Sequence, residues 1–213
     1  MKSIDTYRSA YCKFFLFLIS AIILNSCFIV KEEVETDVAP SIILSPKPVI
    51  EMSETLVRSQ KGDMIAFLPK DWFFVDLEDK ISADAFAVAV NPDYTLAAVF
   101  STIKPNDELN QLVKKEGLIG LARYSIIKKQ NKTADAVKLY GKYTSISMGT
   151  LSFCKFSYTA TEGAITSLSA VFTSSLGEYY EFALVPLNVR KLPLAGALDT
   201  DKIFHSILTT IQY

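Results

Sequence analysis

Residues 151–184, LSFCKFSYTATEGAITSLSAVFTSSLGEYYEFAL, decide the fold. Side chains along a strand alternate between two faces. Here Cys154, Phe156, Tyr158 and Ala160 fall on one face, with Leu151 and Phe153 on the other. Leu168, Ala170 and Phe172 form the next alternating set, and Tyr180, Phe182 and Leu184 the one after. Just upstream, Val137, Leu139 and Tyr143 alternate with polar residues in the same way. Turn signals at Gly149, Glu162-Gly163 and Leu176-Gly177 separate the sets. Four strands in succession with short connections predict an antiparallel meander.

Downstream, Asp199 is expected to cap a final helix. Ile203, Phe204, Ile207, Leu208 and Ile211 make an i, i+3, i+4 stripe that must lie on the sheet. Upstream, Lys104-Pro105-Asn106 precedes Asp107 and Glu108, a helix start with first-turn acids. Leu109, Leu112, Val113, Ile119, Ile126 and Ile127 share one broad face, and Gly117 and Gly120 mark a break or kink. Lys128, Lys129 and Lys132 close this helix and are read as complementing its C-terminus, with anion binding as the other use of such a cluster. Before it come Met64–Leu68, a turn at Pro69-Lys70-Asp71, a return strand over 72–77, and strands over 85–90 and 95–102 around Asn91-Pro92-Asp93. The expected fold class is α+β: a central antiparallel β-sheet flanked by a long middle helix and a C-terminal amphipathic helix.

Phe67-Leu68-Pro69-Lys70-Asp71-Trp72 resembles the opening of the PsbP/Mog1-like domain, where a Phe, an apolar residue, a Pro and a Trp follow at short intervals. The late strand Tyr179 to Pro186, followed by the closing amphipathic helix, extends the resemblance over about residues 62–213. It implies an α/β/α sandwich and a non-catalytic binding or assembly role. None of that group's partner-binding residues matches a position in this chain, so none is carried over.

The N-terminus speaks to location. Lys2, Arg8 and Lys13 precede an apolar run from Phe14 to Leu24, interrupted only by Ser20. A positive region before roughly a dozen apolar residues has the form of a secretory signal peptide. It is short of the about 20 residues that a spanning helix needs. Leu24-Asn25-Ser26-Cys27 resembles the bacterial lipobox, although Asn25 is unusual two positions before the cysteine. The resemblance implies cleavage before Cys27, a diacylglycerol thioether on its sulfur, and anchoring by acyl chains, each CH₂ of which contributes about 0.8 kcal/mol when buried. The bland alternative is a plain anchor helix with an incidental cysteine, and the early polar stop at Asn25 and Ser26 counts against it. Phe28 stands where an inner-membrane retention Asp is common, so the outer membrane is expected, on its periplasmic or surface face. Lys31-Glu32-Glu33 resembles a surface-export signal of Bacteroidetes-like bacteria, but sits further from the cysteine than usual and reads as readily as a solvated start to a linker.

The expected organisation is thus 1–26 signal peptide, 27–60 lipidated N-terminus and linker, and 61–213 a single α+β domain. Pro40, Pro46 and Pro48 stiffen the linker. Its apolar pieces, Ile42-Ile43-Leu44 and Val49-Ile50, hint that part of it packs on the domain. The chain has 22 basic and 23 acidic residues, and losing Lys2, Asp5, Arg8 and Lys13 with residues 1–26 leaves a formal charge of −3. That balance excludes the basic footprint of a nucleic-acid binder and any polybasic attraction to anionic lipid. With Cys12 removed and Cys27 alkylated, Cys154 is left without a disulfide partner and reads as a small buried hydrophobe.

Catalytic signatures are sparse. His205, the sole histidine, lies about 130° from the centre of the apolar stripe, at its edge or in solvent. No Gly-x-Ser-x-Gly elbow accompanies it. Cys154 and His205 are too few soft ligands for zinc, and no Gly-rich phosphate loop indicates nucleotide. Asp71, Asp76, Glu78, Asp79 and Asp84 form an acidic cluster without EF-hand spacing, best read as a solvated loop. Trp72, Phe73, Tyr179 and Tyr180 are expected to fill the core rather than line a ligand surface. No catalytic residue, cofactor or metal is expected. The expected function is a lipid-anchored, non-enzymatic interaction or ligand-binding module of the bacterial cell envelope. Its partners are the membrane through Cys27 and an envelope protein, with no nucleic acid or nucleotide. The alternative is an envelope hydrolase using paired carboxylates, which would need two acids of the Asp71–Asp84 region facing each other in a cleft.

Overall fold

A computed structural model describes residues 37–76, 84–159, 166–187, 193–194 and 196–213. Cys27, the signal segment, Lys31 to Glu33, Leu77, Glu78, Asp79, Ala160 and the Glu162-Gly163 turn lie outside them. Among the described residues the chain runs β1 (Val38–Ile43), β2 (Met52–Arg58), β3 (Ile65–Pro69), β4 (Phe73–Phe74), β5 (Ala85–Val90), β6 (Leu96–Ile103), α1 (Asp107–Glu116), α2 (Leu118–Lys132), β7 (Lys138–Met148), β8 (Leu151–Thr159), β9 (Ser167–Thr173), β10 (Tyr179–Pro186) and α3 (Ala197–Leu208).

The period-two stretch forms the meander that its pattern demands. β7, β8, β9 and β10 pair in sequence, and β6, β5 and β4 extend the sheet beyond β10, every pair antiparallel. At the other edge β1 joins β7 in parallel, so the eight-stranded sheet is mixed. Alternation then sorts the side chains. Phe100, Phe153, Phe172, Tyr180 and Phe182 point to one face, where α3 contributes Phe204, Ile207 and Leu208. Cys154, Phe156, Tyr158 and Val171 point to the other, under Leu109 of α1 and Leu121 and Ile126 of α2. This is the expected α+β sandwich with helices on both faces.

The boundary at residue 60 moves. β1 and β2 fall inside the segment read as linker, and the compact unit starts at Asp37. The Tyr143 amide donates to the Asp37 carbonyl at 2.7 Å and the Leu44 amide to Ser147 at 2.9 Å, so the backbone of β1 is ladder-bonded although its side chains are largely exposed. Likewise the return strand expected over 72–77 is, among the described residues, only the two-residue β4. β3 pairs with β2, not β4, because Asp71 at φ 65° and a Trp72 amide bonded to the Pro69 carbonyl swing the chain to the far edge beside β5. Trp72 itself is buried by that turn.

The middle helix divides at Gly117, whose φ of 62° ends α1 and starts α2. Asn106 caps α1 through its Oδ1, accepting from the Leu109 amide at 2.8 Å. Gly120 lets α1 and α2 touch: a Cβ there would stand 2.5 Å from the Leu112 carbonyl oxygen. At α3 the cap is Gly196 rather than Asp199, which sits in the first turn where its charge favours the helix dipole. Asp63, in the turn after β2, accepts from Ser59 at 2.8 Å and from the Tyr180 hydroxyl at 2.6 Å, pinning this hairpin to β10. Burial pushes its carboxyl up, but bonds from Ser174, Tyr180 and Ser59 outweigh that and hold it below the usual range.

Candidate functional site: a pocket beneath the C-terminal helix

Continuing β8 past Phe153 on the same face places Lys155 and then Ser157 under α3. On α3, Asp201 and His205 are one turn apart and face that lysine. The Lys155 Nζ donates to Asp201 Oδ1 at 2.5 Å, lies 3.5 Å from His205 Nε2, and sits 5.4 Å from the Phe204 ring centroid. His205 Nδ1 is 3.0 Å from Asp201 Oδ2. Burial lowers the imidazole pKa and the Lys155 charge lowers it further, against the opposing pull of Asp201. His205 is therefore neutral at neutral pH, donating from Nδ1 and presenting the Nε2 lone pair to the ammonium.

Beside this trio α3 stops short of covering the sheet. A pocket of about 510 Å³ opens there, walled by Leu96, Leu168, Pro186 and Leu194, with Lys155 and Asp201 at its polar side. Its size is in the range of about 300–1,000 Å³ that small-molecule sites occupy, as is the pairing of apolar walls with a few converging polar groups. Tyr140 and Leu198 stand at its rim, 63% and 80% exposed. Chemically it offers an apolar wall with one cation and one carboxylate at fixed positions. It does not offer a Ser–His base, since one ring nitrogen faces Asp201 and the other an ammonium that opposes proton uptake.

The opposite face carries a second charged cleft. Buried Glu181 accepts from Lys129 at 2.6 and 2.7 Å, from Ser125 at 2.6 Å and from Ser169 at 2.6 Å. Burial pushes its carboxyl up, and Lys129 with the two serines more than reverses that. Asp84 gathers Lys128 at 2.9 Å, Lys132 at 3.5 Å and Lys104 at 3.6 Å. The lysines read as a helix cap therefore reach across to acids on and beside the sheet. Among the described residues, Asp84 of the acidic cluster faces these lysines. Asp71 and Asp76 are exposed. Among the described residues no group of three His, Cys, Asp or Glu is placed to hold a metal ion.

Cys154 is buried and its thiol is pushed up to about 12 by that burial, which leaves it unreactive. It packs on the α2 face while His205 belongs to α3 on the other face, so the sheet separates them. Trp72 and Tyr180 are core residues as expected, whereas Phe73 is exposed and meets Tyr94 edge to face at 5.5 Å. The sequence reading missed Lys155 and Asp201. A lysine at an inward position of β8 was the available signal.

A solution structure of cyanobacterial PsbP (CyanoP) from Synechocystis sp. PCC 6803 superimposes with a TM-score of 0.55 at 12% identity, over 75% of this chain and 92% of that one. The fold is PsbP-like. The crystal structure of LpqN, involved in cell envelope biogenesis of Mycobacterium tuberculosis, aligns over 76% of this chain and 90% of its own at 11% identity, with a TM-score of 0.38. A Bacteroides thetaiotaomicron protein aligns at 15% identity and 0.35, over 74% of this chain and 47% of that one. These two scores fall below what supports a shared fold. No family model and no curated protein matches. Among the described residues of this PsbP-like fold, no helix is long and apolar enough to cross a membrane.

Proposed function

We propose that this chain is a lipid-anchored, non-enzymatic binding module of the bacterial cell envelope, held at the outer membrane by acyl chains on Cys27, with the pocket beneath α3 taking an amphipathic small ligand. The observation that carries the reading is the pocket itself: apolar walls converge on a single Lys155–Asp201 pair. A ligand with an apolar body and a polar head is the chemistry that such a lining complements. The lipobox resemblance supports the anchor, and the signal-like stretch from Phe14 to Leu24 supports export. The hydrolase alternative loses support from Asp84, whose lysine partners hold its carboxyl below the ordinary range, where a general acid would need it raised.

Mass spectrometry of the full chain, extracted from the membranes of a diderm bacterium, tests both parts. Denatured, the protein should have the mass of cleavage before Cys27 plus acyl chains, and Cys27→Ala should lose that mass. Under native conditions a co-purified small molecule should be present and should be absent from Ser157→Trp, which fills the pocket. An unprocessed N-terminus would defeat the anchor. A pocket that is empty in both proteins, and that takes up no added fatty acid, would defeat the binding role.

A further inference from the structure

The way the chain enters the sheet points the pocket in one direction. Because β1 is parallel to β7 and begins beside Tyr143, Asp37 lies toward the end of the sheet where β7 starts. β7 and β8 continue past that point, and residues 138–142 overhang it. The overhang carries exposed Lys138, Tyr140 and Lys142, and Tyr140 is part of the pocket rim with Leu198.

Chain length makes this edge of the sheet the near one, and the start of β1 beside Tyr143 marks the end. Ten residues lead from Cys27 to Asp37, at most about 36 Å however they fold. Eight strands about 4.8 Å apart make the sheet about 34 Å wide. A fully drawn tether therefore only just brings the β4 edge to the anchor, while the β1–β7 edge is within reach at any extension. The exposed chemistry there suits a bilayer surface: a tyrosine, which favours the head-group region, an aliphatic side chain that can enter it, and two lysines that attract anionic lipid. Two lysines are too few to hold a protein on a membrane alone, so they act with the anchor. Among the described residues, the acidic groups at this end are Asp37, paired with Arg123 at 2.8 Å, Asp135 just before β7, Asp199, paired with Lys202 at 3.7 Å, and Asp201, paired with Lys155.

We infer that the sheet end bearing Tyr140 and Leu198 rests on the bilayer, so that the pocket opens against lipid and draws its ligand from that surface. This rests on the Cys27 anchor of the proposed function. The test uses the full lipidated protein in vesicles of phosphatidylethanolamine and phosphatidylglycerol with bromine on the phospholipid acyl chains. A fluorophore is attached at Leu198→Cys or, as the control, at Leu176→Cys in the turn between β9 and β10 at the opposite end. Buried Cys154 does not compete for the label. The Leu198 label should lose most of its emission to the bromines and the Leu176 label should keep most of its own. Equal quenching, or the reverse order, on protein whose mass shows an acylated Cys27 would overturn the orientation and leave the pocket's binding role untouched. A Leu198 label shielded from aqueous iodide yet unquenched by phospholipid would mean that a second copy or the protein's own acyl chain covers the rim, which also overturns it. Lys138→Glu with Lys142→Glu should weaken the quenching at Leu198, and an unchanged signal counts against the lipid contact.

Discussion

Lys129 and Lys155 share a description and differ in consequence. Each is mostly buried, each lies near an aromatic ring, and each is bonded to a carboxylate, one on either face of the same sheet. The difference is in the acid. Glu181 is 5% exposed and surrounded by donors, so its carboxylate is sealed even though the pair borders the second cleft. Asp201 is 44% exposed and borders an open pocket, so its pair remains available to a ligand. A sealed ion pair holds two elements together. An open one can exchange a partner.

That contrast can be broken most directly at Lys129. Lys129→Met leaves the Glu181 charge buried without its cation and should cost about 3–5 kcal/mol in urea unfolding. Adding Glu181→Leu should recover most of the loss, because removing both charges also removes their desolvation. A loss near zero for the single variant would mean that the α2 face is wetter than it looks.

Acid titration sharpens the same point. Burial raises the Asp84 carboxyl, but Lys128, Lys132 and Lys104 bring it below its ordinary 3.8. A depressed folded pKa stabilises above the unfolded value and the benefit is lost as pH falls through the folded one. The urea midpoint should therefore drop as pH falls below about 4, the ordinary range for Asp, and drop less steeply in Asp84→Asn. A parallel slope would show that these lysines add nothing.

On the α3 face the effects should be small in stability and large in binding. Lys155→Met should cost about 0–1 kcal/mol, since its partner is half exposed, yet abolish retention of the co-purified ligand. His205 should give the weakest signal. Its folded pKa lies below 6.5, so the unfolded chain binds the proton first, and stability should fall as pH is lowered through 6.5. His205→Gln should flatten that slope, and a slope that survives the substitution must come from another group.

Periodicity made the core of this fold legible. β7 to β10 and the stripe of α3 bury enough apolar area that pattern alone decides them, and Gly117 announced the helix break. β1 was not legible because Val38 to Ile43 has neither alternation nor burial: its partner is the β7 backbone, over a hundred residues downstream. β4 was overread because two paired residues leave no period to detect. Lys155 was visible as a charge in an apolar row, but its meaning depended on which helix residues would face it, and that is set by docking rather than by local sequence.

The parallel β1 has a consequence for how the chain is made. Val38 is synthesised 105 residues before Tyr143, its partner. At about 5–20 residues per second, the edge strand waits roughly 5–20 s for the ladder it will join. A bare strand in that interval can pair with any other bare strand. Pro40 sits in the irregular step between Ala39 and Ile42, where its missing N–H costs the finished sheet no ladder bond. In the nascent chain the same residue denies a wrong partner a continuous row of donors, so a small defect in the completed edge acts as a safeguard for the unfinished one.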